Sequence, residues 1–385
     1  MERTGHLEVR EDEIRRDTYD FVRVASETGA EGPGSLFLAE LLRREGFEPE
    51  IDSVEPDRPN VYARMPGSDP RAPALLFNGH TDTIPIGGSS PPAIDGDWVV
   101  GRGAEDMKGG LVAMVHAAAA VRRAGIRLGG DVWLTGVIGH ETPRGRKEGP
   151  RRLIAHLRSG RIRADGIVIV EGPHAIWKAS LGSAIFHVDI ESPRGIVHTI
   201  HVPFRENPAC WLGDLLTRLQ AVECGFLASE PHPLCGRERI NIGQVRGGDY
   251  PNRLPTPVTV TGTWRWKPGQ THEEVKRRLE ELCADLSKES GLRFSCRFEG
   301  NREPFETPDN HRLVESLRAA SGAPLIGMAL VGDGNLYANE AGTPVVYFGP
   351  DYRTAHSDDE RVSVARLAAC ARVYAEAMIR YCGVQ

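Results

Sequence analysis

Four short apolar runs, at 74–77, 132–138, 167–170 and 344–348, each stop abruptly at a polar cluster. Between the first two lies an Ala-rich helical stretch, 110–123, closed by Gly125, and 10–28 and 35–46 also carry helical spacing. A strand buried on both faces reads as an unbroken apolar run. Such runs alternating with helices imply an α/β layer around a mostly parallel central sheet. In an open sheet of this kind, ligands bind beyond the carboxyl ends of the strands.

The middle of the chain reads differently. Strand patterns at 183–190, 239–245, 257–266 and 293–298 alternate with helical patterns at 209–222 and 271–290. The order βαββαβ is that of a ferredoxin-like α+β sandwich with its helices on one face. The expected organisation is one domain over 1–181 and 300–385, interrupted by a smaller domain over 182–299. A length of 385 residues suits two domains at roughly 100–200 residues each.

Composition removes several function classes. Forty-seven basic against fifty-three acidic residues give a formal net charge of −6. That argues against nucleic acid as a partner, which needs a basic stripe. No run of roughly 18 apolar residues occurs, so no membrane span is expected. The N-terminal residues 1–6 are polar and lack the apolar core of a signal peptide. Seven cysteines, all in the second half and without a C-x-x-C pair, read as reduced thiols of a cytoplasmic protein. A bound metal would therefore be held by His and carboxylates.

The polar clusters supply that set. The first run is followed by His80-Thr81-Asp82-Thr83, the second by Gly139-His140-Glu141, the third by Glu171 and the fourth by Ala355-His356-Ser357. A fifth cluster, Gly101-Arg102-Gly103-Ala104-Glu105-Asp106-Met107-Lys108-Gly109-Gly110, leads into the Ala-rich helix. Singly, each residue has a plainer explanation as a cap, a turn residue or a solvated side chain. Together at one sheet edge, they suit a pair of divalent ions without thiolate.

The segments His80-Thr81-Asp82-Thr83, Gly101 through Gly110, and Ala355-His356-Ser357 followed by Glu360 resemble the M20 metallopeptidase family. Its members are of the acetylornithine deacetylase, succinyl-diaminopimelate desuccinylase and glutamate carboxypeptidase type. The resemblance covers nearly the whole chain and implies a zinc-peptidase-like catalytic domain with an inserted dimerisation domain. It implies that His80, Asp106 and Glu171 bind one metal and that Asp106, Glu141 and His356 bind the other, with Asp106 bridging. Zinc is the expected ion, with cobalt or manganese as alternatives. Asp82 would hydrogen-bond the ligand His80, and the Asp106–Met107 peptide would be cis.

The chain departs from the family at position 140. Two consecutive Glu residues are usual there, the first a general base; here His140 precedes Glu141. Three roles are open to His140: a working base, an extra metal ligand, or the mark of a protein that has lost hydrolysis. Glu105 and Glu148 are alternative bases by sequence proximity.

In the inserted domain the resemblance assigns His198 to stabilise the oxyanion across a homodimer, with His201 its rival. It makes Asn252 and Arg265 candidate contacts to a substrate carboxylate. The expected protein is a cytoplasmic, dinuclear metal-dependent hydrolase of a small-molecule amide, an N-acyl amino acid or similar. The alternatives are a dipeptidase or carboxypeptidase, an aminohydrolase on another C–N bond, or a non-hydrolytic metal-retaining binding protein.

Overall fold

The computed structural model describes residues 7–141 and 146–385, so residues 1–6 and 142–145, Thr142 of the second polar cluster among them, lie outside the described residues. The chain divides into two compact units. Met1–Lys178, Thr307–Ile326 and Leu336–Gln385 form the first; Ala179–Glu306 and Gly327–Asn335 form the second.

In the first unit, strands Val132–Val137, Leu75–His80, Gly166–Ile169 and Val345–Tyr347 lie side by side in that order, all parallel. Arg58–Met65 and then Glu50–Glu55 extend one edge antiparallel. Every residue of Leu75–His80 and Gly166–Ile169 is buried, which is why these strands read as continuous apolar runs. Neighbouring strands stand about 4.8 Å apart, so consecutive carboxyl ends deliver side chains to one small region.

Helices Gly109–Arg123 and Val364–Cys382 pack against each other. The first is buried from Gly109 through Val121 and needs small residues to come so close. A Cβ on Gly110 would stand 1.9 Å from the carbonyl oxygen of Val170.

The helical spacing at 10–28 overshoots, because the helix is Glu11–Val22. Beyond it the backbone turns to another partner. Thr83 N donates to Ser26 O at 3.0 Å, and Thr28 N donates to Thr83 O at 3.0 Å. The pairing groups that a longer helix would need are thus committed to the segment that follows His80.

The second unit is ferredoxin-like. Its antiparallel sheet runs Arg239–Gly247, Val258–Trp266, Gly182–Glu191, Arg293–Arg302. Alternate residues of Val258–Trp266 are buried. That face meets helices Leu212–Ala228 and His272–Ser290 in a core including Phe186, Trp264, Leu219 and Leu279. Thr271 and Glu274 close a capping box at the start of the second helix. The first helix starts later than its sequence pattern does, because Pro208–Trp211 forms a 3₁₀ turn capped by the Asn207 side chain. All seven cysteines are free. Among the described residues no helix is long and apolar enough to cross a membrane.

Candidate metal centre

The four parallel strands and the start of the buried helix bring five donors together. His80 ends its strand, Glu141 and Glu171 follow theirs, His356 lies in the loop after Val345–Tyr347, and Asp106 precedes Gly109–Arg123. Ligand atoms of His80, Asp106 and Glu171 lie within 4.8 Å of one another, as do those of Asp106, Glu141 and His356. Asp106 belongs to both sets. Its Oδ1 is 3.0 Å from His80 Nε2 and its Oδ2 is 3.2 Å from His356 Nε2. His356 Nε2 also stands 3.0 Å from Glu141 Oε1.

The backbone around Asp106 is held from below. The peptide between Asp106 and Met107 is cis. The Asp106 and Glu105 amides donate to Glu360 Oε1 at 3.0 and 3.1 Å. Glu360 is itself paired with buried Arg102 at 2.6 Å. His356 adopts a left-handed backbone conformation, φ 67°, unusual for a residue with a Cβ.

The electrostatics are those of a cation site. Burial pushes the Asp106 carboxyl up, but hydrogen bonds from His356 and His80 outweigh it and hold it below its usual range. Glu141 is likewise held down by His356 against its burial. Burial, with the neighbouring Asp106 charge, pushes Glu171 up to about 7. Hydrogen bonds to Asp106 and Glu141 raise His356 to about 10. His80 is raised too, its contacts to Asp106 overcoming its burial. The Asp106 and Glu141 charges thus favour protonated His80 and His356, while Glu171 is pressed toward its own neutral form. A divalent ion in each set would supply that charge directly and displace the protons. The all-oxygen-and-imidazole donor set fits first-row divalent ions.

Asp82 differs from its expected part. His80 Nδ1 donates to the Asp82 backbone carbonyl at 2.8 Å, while the carboxylate stands off at 3.6 Å. The carboxylate is already engaged. It accepts from the amides of His140 at 3.1 Å and Glu141 at 2.9 Å, and from Thr28 Oγ1 at 2.8 Å. One residue therefore fixes the ring of His80 and also pins the next strand's loop. An N–H donated by a ligand histidine to a carbonyl leaves its other nitrogen to face a metal.

His140 lies flat on His80, the ring centroids 4.1 Å apart and the planes 5° from parallel. A His140 ring nitrogen stands within 4.8 Å of ligand atoms on both His80 and Glu141, one from each donor set. Glu105 accepts from Thr354 at 2.6 Å, and Glu148 pairs with Arg58 at 2.7 Å. Both carboxylates are committed elsewhere.

Three of the expected site residues belong to the second unit. His198 caps a short turn, its Nδ1 accepting from Ile200 N at 3.2 Å. Its backbone bridges Arg253, and Thr199 N donates to Asn252 O at 3.0 Å, so the His198 loop and the Asn252 turn are stitched together. His201 lies 6.3 Å from His198 between ring centroids. Arg265 sits directly across the sheet from Arg239 and donates to Ala329 O at 2.6 Å.

The sequence reading missed Tyr352. Its hydroxyl is pushed up by burial and by the charges of Glu171, Asp106 and Glu141, so its ionisation is coupled to theirs. Its position four residues before His356 is the only sequence signal for it.

Residues 76–380 match Peptidase family M20/M25/M40. The chain belongs to this family. It is 27% identical to the N-formyl-4-amino-5-aminomethyl-2-methylpyrimidine deformylase of Bacillus subtilis, covering 90% of this chain and 88% of that one. It is also 27% identical to the succinyl-diaminopimelate desuccinylase of Methylorubrum extorquens (strain PA1), covering 94% and 96%. Its fold matches the YXEP protein of Bacillus subtilis, a dinuclear metal binding peptidase from the M20 family. The TM-score is 0.69 at 15% identity, over 96% of this chain and 97% of that one. This M20 chain is thus a hydrolytic, metal-binding enzyme with the mixed α/β fold of its family.

Proposed function

We propose that the protein hydrolyses the amide bond of an N-acyl amino acid or a similar carboxylate-bearing small molecule. The observation that carries this reading is a pair of donor sets sharing Asp106, with His140 beside both. The relatives named deformylase and desuccinylase remove an acyl group, which supports an acyl-amide substrate. Two divalent ions, zinc in the first instance and cobalt or manganese as alternatives, would polarise the scissile carbonyl and acidify water.

The chain's own residues do the rest. His80, Asp106 and Glu171 would hold one ion; Asp106, Glu141 and His356 would hold the other. Asp82 orients His80 through its carbonyl and fixes the His140–Glu141 backbone through its carboxylate. His140 takes the proton of the attacking water and passes it to the leaving amine. Arg265 and Asn252 hold the substrate carboxylate, and Arg239, directly opposite Arg265, adds a second positive charge there. His198 donates to the oxyanion in a cytoplasmic homodimer formed through residues 182–299. A peptidase acting on a dipeptide is the second reading, favoured by the fold shared with a dinuclear peptidase.

The test is hydrolysis of N-formyl, N-acetyl and N-succinyl amino acids and dipeptides with added zinc, cobalt or manganese. His140→Ala should lower turnover by ~10²–10⁴-fold and leave bound metal unchanged. Metal lost along with turnover would make His140 a ligand, and turnover that persists would remove it from the chemistry.

A further inference from the structure

We infer that Arg58 is a positioning residue: with buried Glu31 and half-buried Glu148 it forms a clasp that sets where His140 stands. This rests on the catalytic role proposed for His140.

Three consecutive amides past the strand Val132–Val137 donate to carboxylates. His140 N and Glu141 N go to Asp82, and Gly139 N goes to Glu31 Oε1 at 3.2 Å. Glu31 is fully buried, and a bare carboxylate there would be costly. Arg58 neutralises it with a two-pronged contact, Nη2 to Oε1 at 2.7 Å and Nε to Oε2. The same Nη2 reaches Glu148 Oε1 at 2.7 Å, and Glu148 Oε2 accepts from Arg146 N at 2.8 Å. Arg58 therefore joins the chain just before His140 to the chain just before helix Glu148–Ser159.

Other bonds run the same way. Asn60 accepts from Ile138 N at 3.1 Å and donates to Gly149 O at 2.9 Å. Lys147 N donates to Gly139 O at 3.0 Å, and Lys147 Nζ donates to His140 O. The clasp presses close. Gly139 has φ 67°, and a Cβ there would stand 2.5 Å from the Glu148 carboxyl carbon.

Among the described residues, His80, Asp106, Glu171 and His356 form no hydrogen bond or ion pair with Arg58, Glu31 or Glu148; the Glu141 amide is held by Asp82. The clasp acts on His140 at the other end of the same peptide. A proton acceptor displaced by about 1 Å can lose ~10²-fold in rate with its binding groups intact.

The fork geometry makes Arg58→Lys the informative change, because lysine keeps the charge on Glu31 but cannot grip both carboxylates. Glu148→Gln is the second variant and leaves the Arg58–Glu31 pair in place. Each should lower kcat by ~10- to 100-fold with KM held within about twofold. Metal per chain should be unchanged in both. Amides 138–141 should exchange with deuterium roughly tenfold faster, while the strand Leu75–His80 stays protected. Unchanged kcat, metal lost in step with kcat, or faster exchange across the whole first unit would overturn the inference. If the wild type hydrolyses no amide in the panel, the functional reading fails on its own, and local exchange at 138–141 still decides the clasp.

Discussion

Asp106 is the single side chain common to both donor sets, and His80 and His356 approach its two oxygens from opposite ends. Asp106→Ala should therefore empty both sets, whereas Glu171→Ala should empty one. Bound metal per purified chain measures this, and one ion retained in Asp106→Ala would contradict the shared role. At this scale the sequence was readable because His and carboxylates followed apolar runs. It was unreadable where a backbone atom acts in place of a side chain. Asp82 stood out as a partner for His80, but nothing in its letter said that its carbonyl would serve that ring while its carboxylate held the His140 and Glu141 amides. Glu31 and Arg58 lie in unremarkable segments, and only the fold brings them to Gly139.

Among the elements, the buried helix Gly109–Arg123 carries the sharpest expectation. Glycine to alanine inside a helix ordinarily stabilises by about 1 kcal/mol. At Gly110 the added methyl would meet the Val170 carbonyl at 1.9 Å, next to the residue that presents Glu171. Gly110→Ala should thus destabilise by roughly 1–3 kcal/mol, as overpacking does, and weaken metal binding through Glu171. Thermal denaturation checks the sign, and a gain in melting temperature would refute the close approach. The parallel strands were legible because burial on both faces leaves an unbroken apolar run. The end of the first helix was not: 10–28 keeps helical spacing throughout, yet Ser26 and Thr28 pair with Thr83, a partner distant in sequence. Helical spacing records only local neighbours, so it cannot register that competition.

For the molecule as a whole, acid stability should depend on a site remote from the chemistry. Asp52 accepts a two-pronged contact from Arg152 at 2.9 Å and a hydrogen bond from His156 at 2.7 Å. The Arg152 contact, aided by His156 and against burial, brings its carboxyl down to about 2. A carboxyl lowered by folding stabilises fully above its unfolded value near 3.9, and that contribution fades as pH falls toward 2. Asp52→Asn should cost roughly 1–2 kcal/mol at pH 7, allowing for the half-exposed Arg152, and almost nothing near pH 2. Urea denaturation at the two pH values measures it, and an equal cost at both would show that charge is not the cause.

The donors come from widely separated stretches of chain, from His80 through Asp106, Glu141 and Glu171 to His356. Ions seated among them would act as reversible cross-links that tie the first part of the first unit to its last. An unfolded chain has no such constellation, so the ions would bind the native state alone. At a free concentration a hundred times the dissociation constant, each would stabilise by about 2.7 kcal/mol. Chelation should then lower the melting temperature of the protein even in variants that turn over nothing, and returning the ion should restore it. The group proposed to serve the hydrolysis would then also be a fastener for the scaffold that holds it.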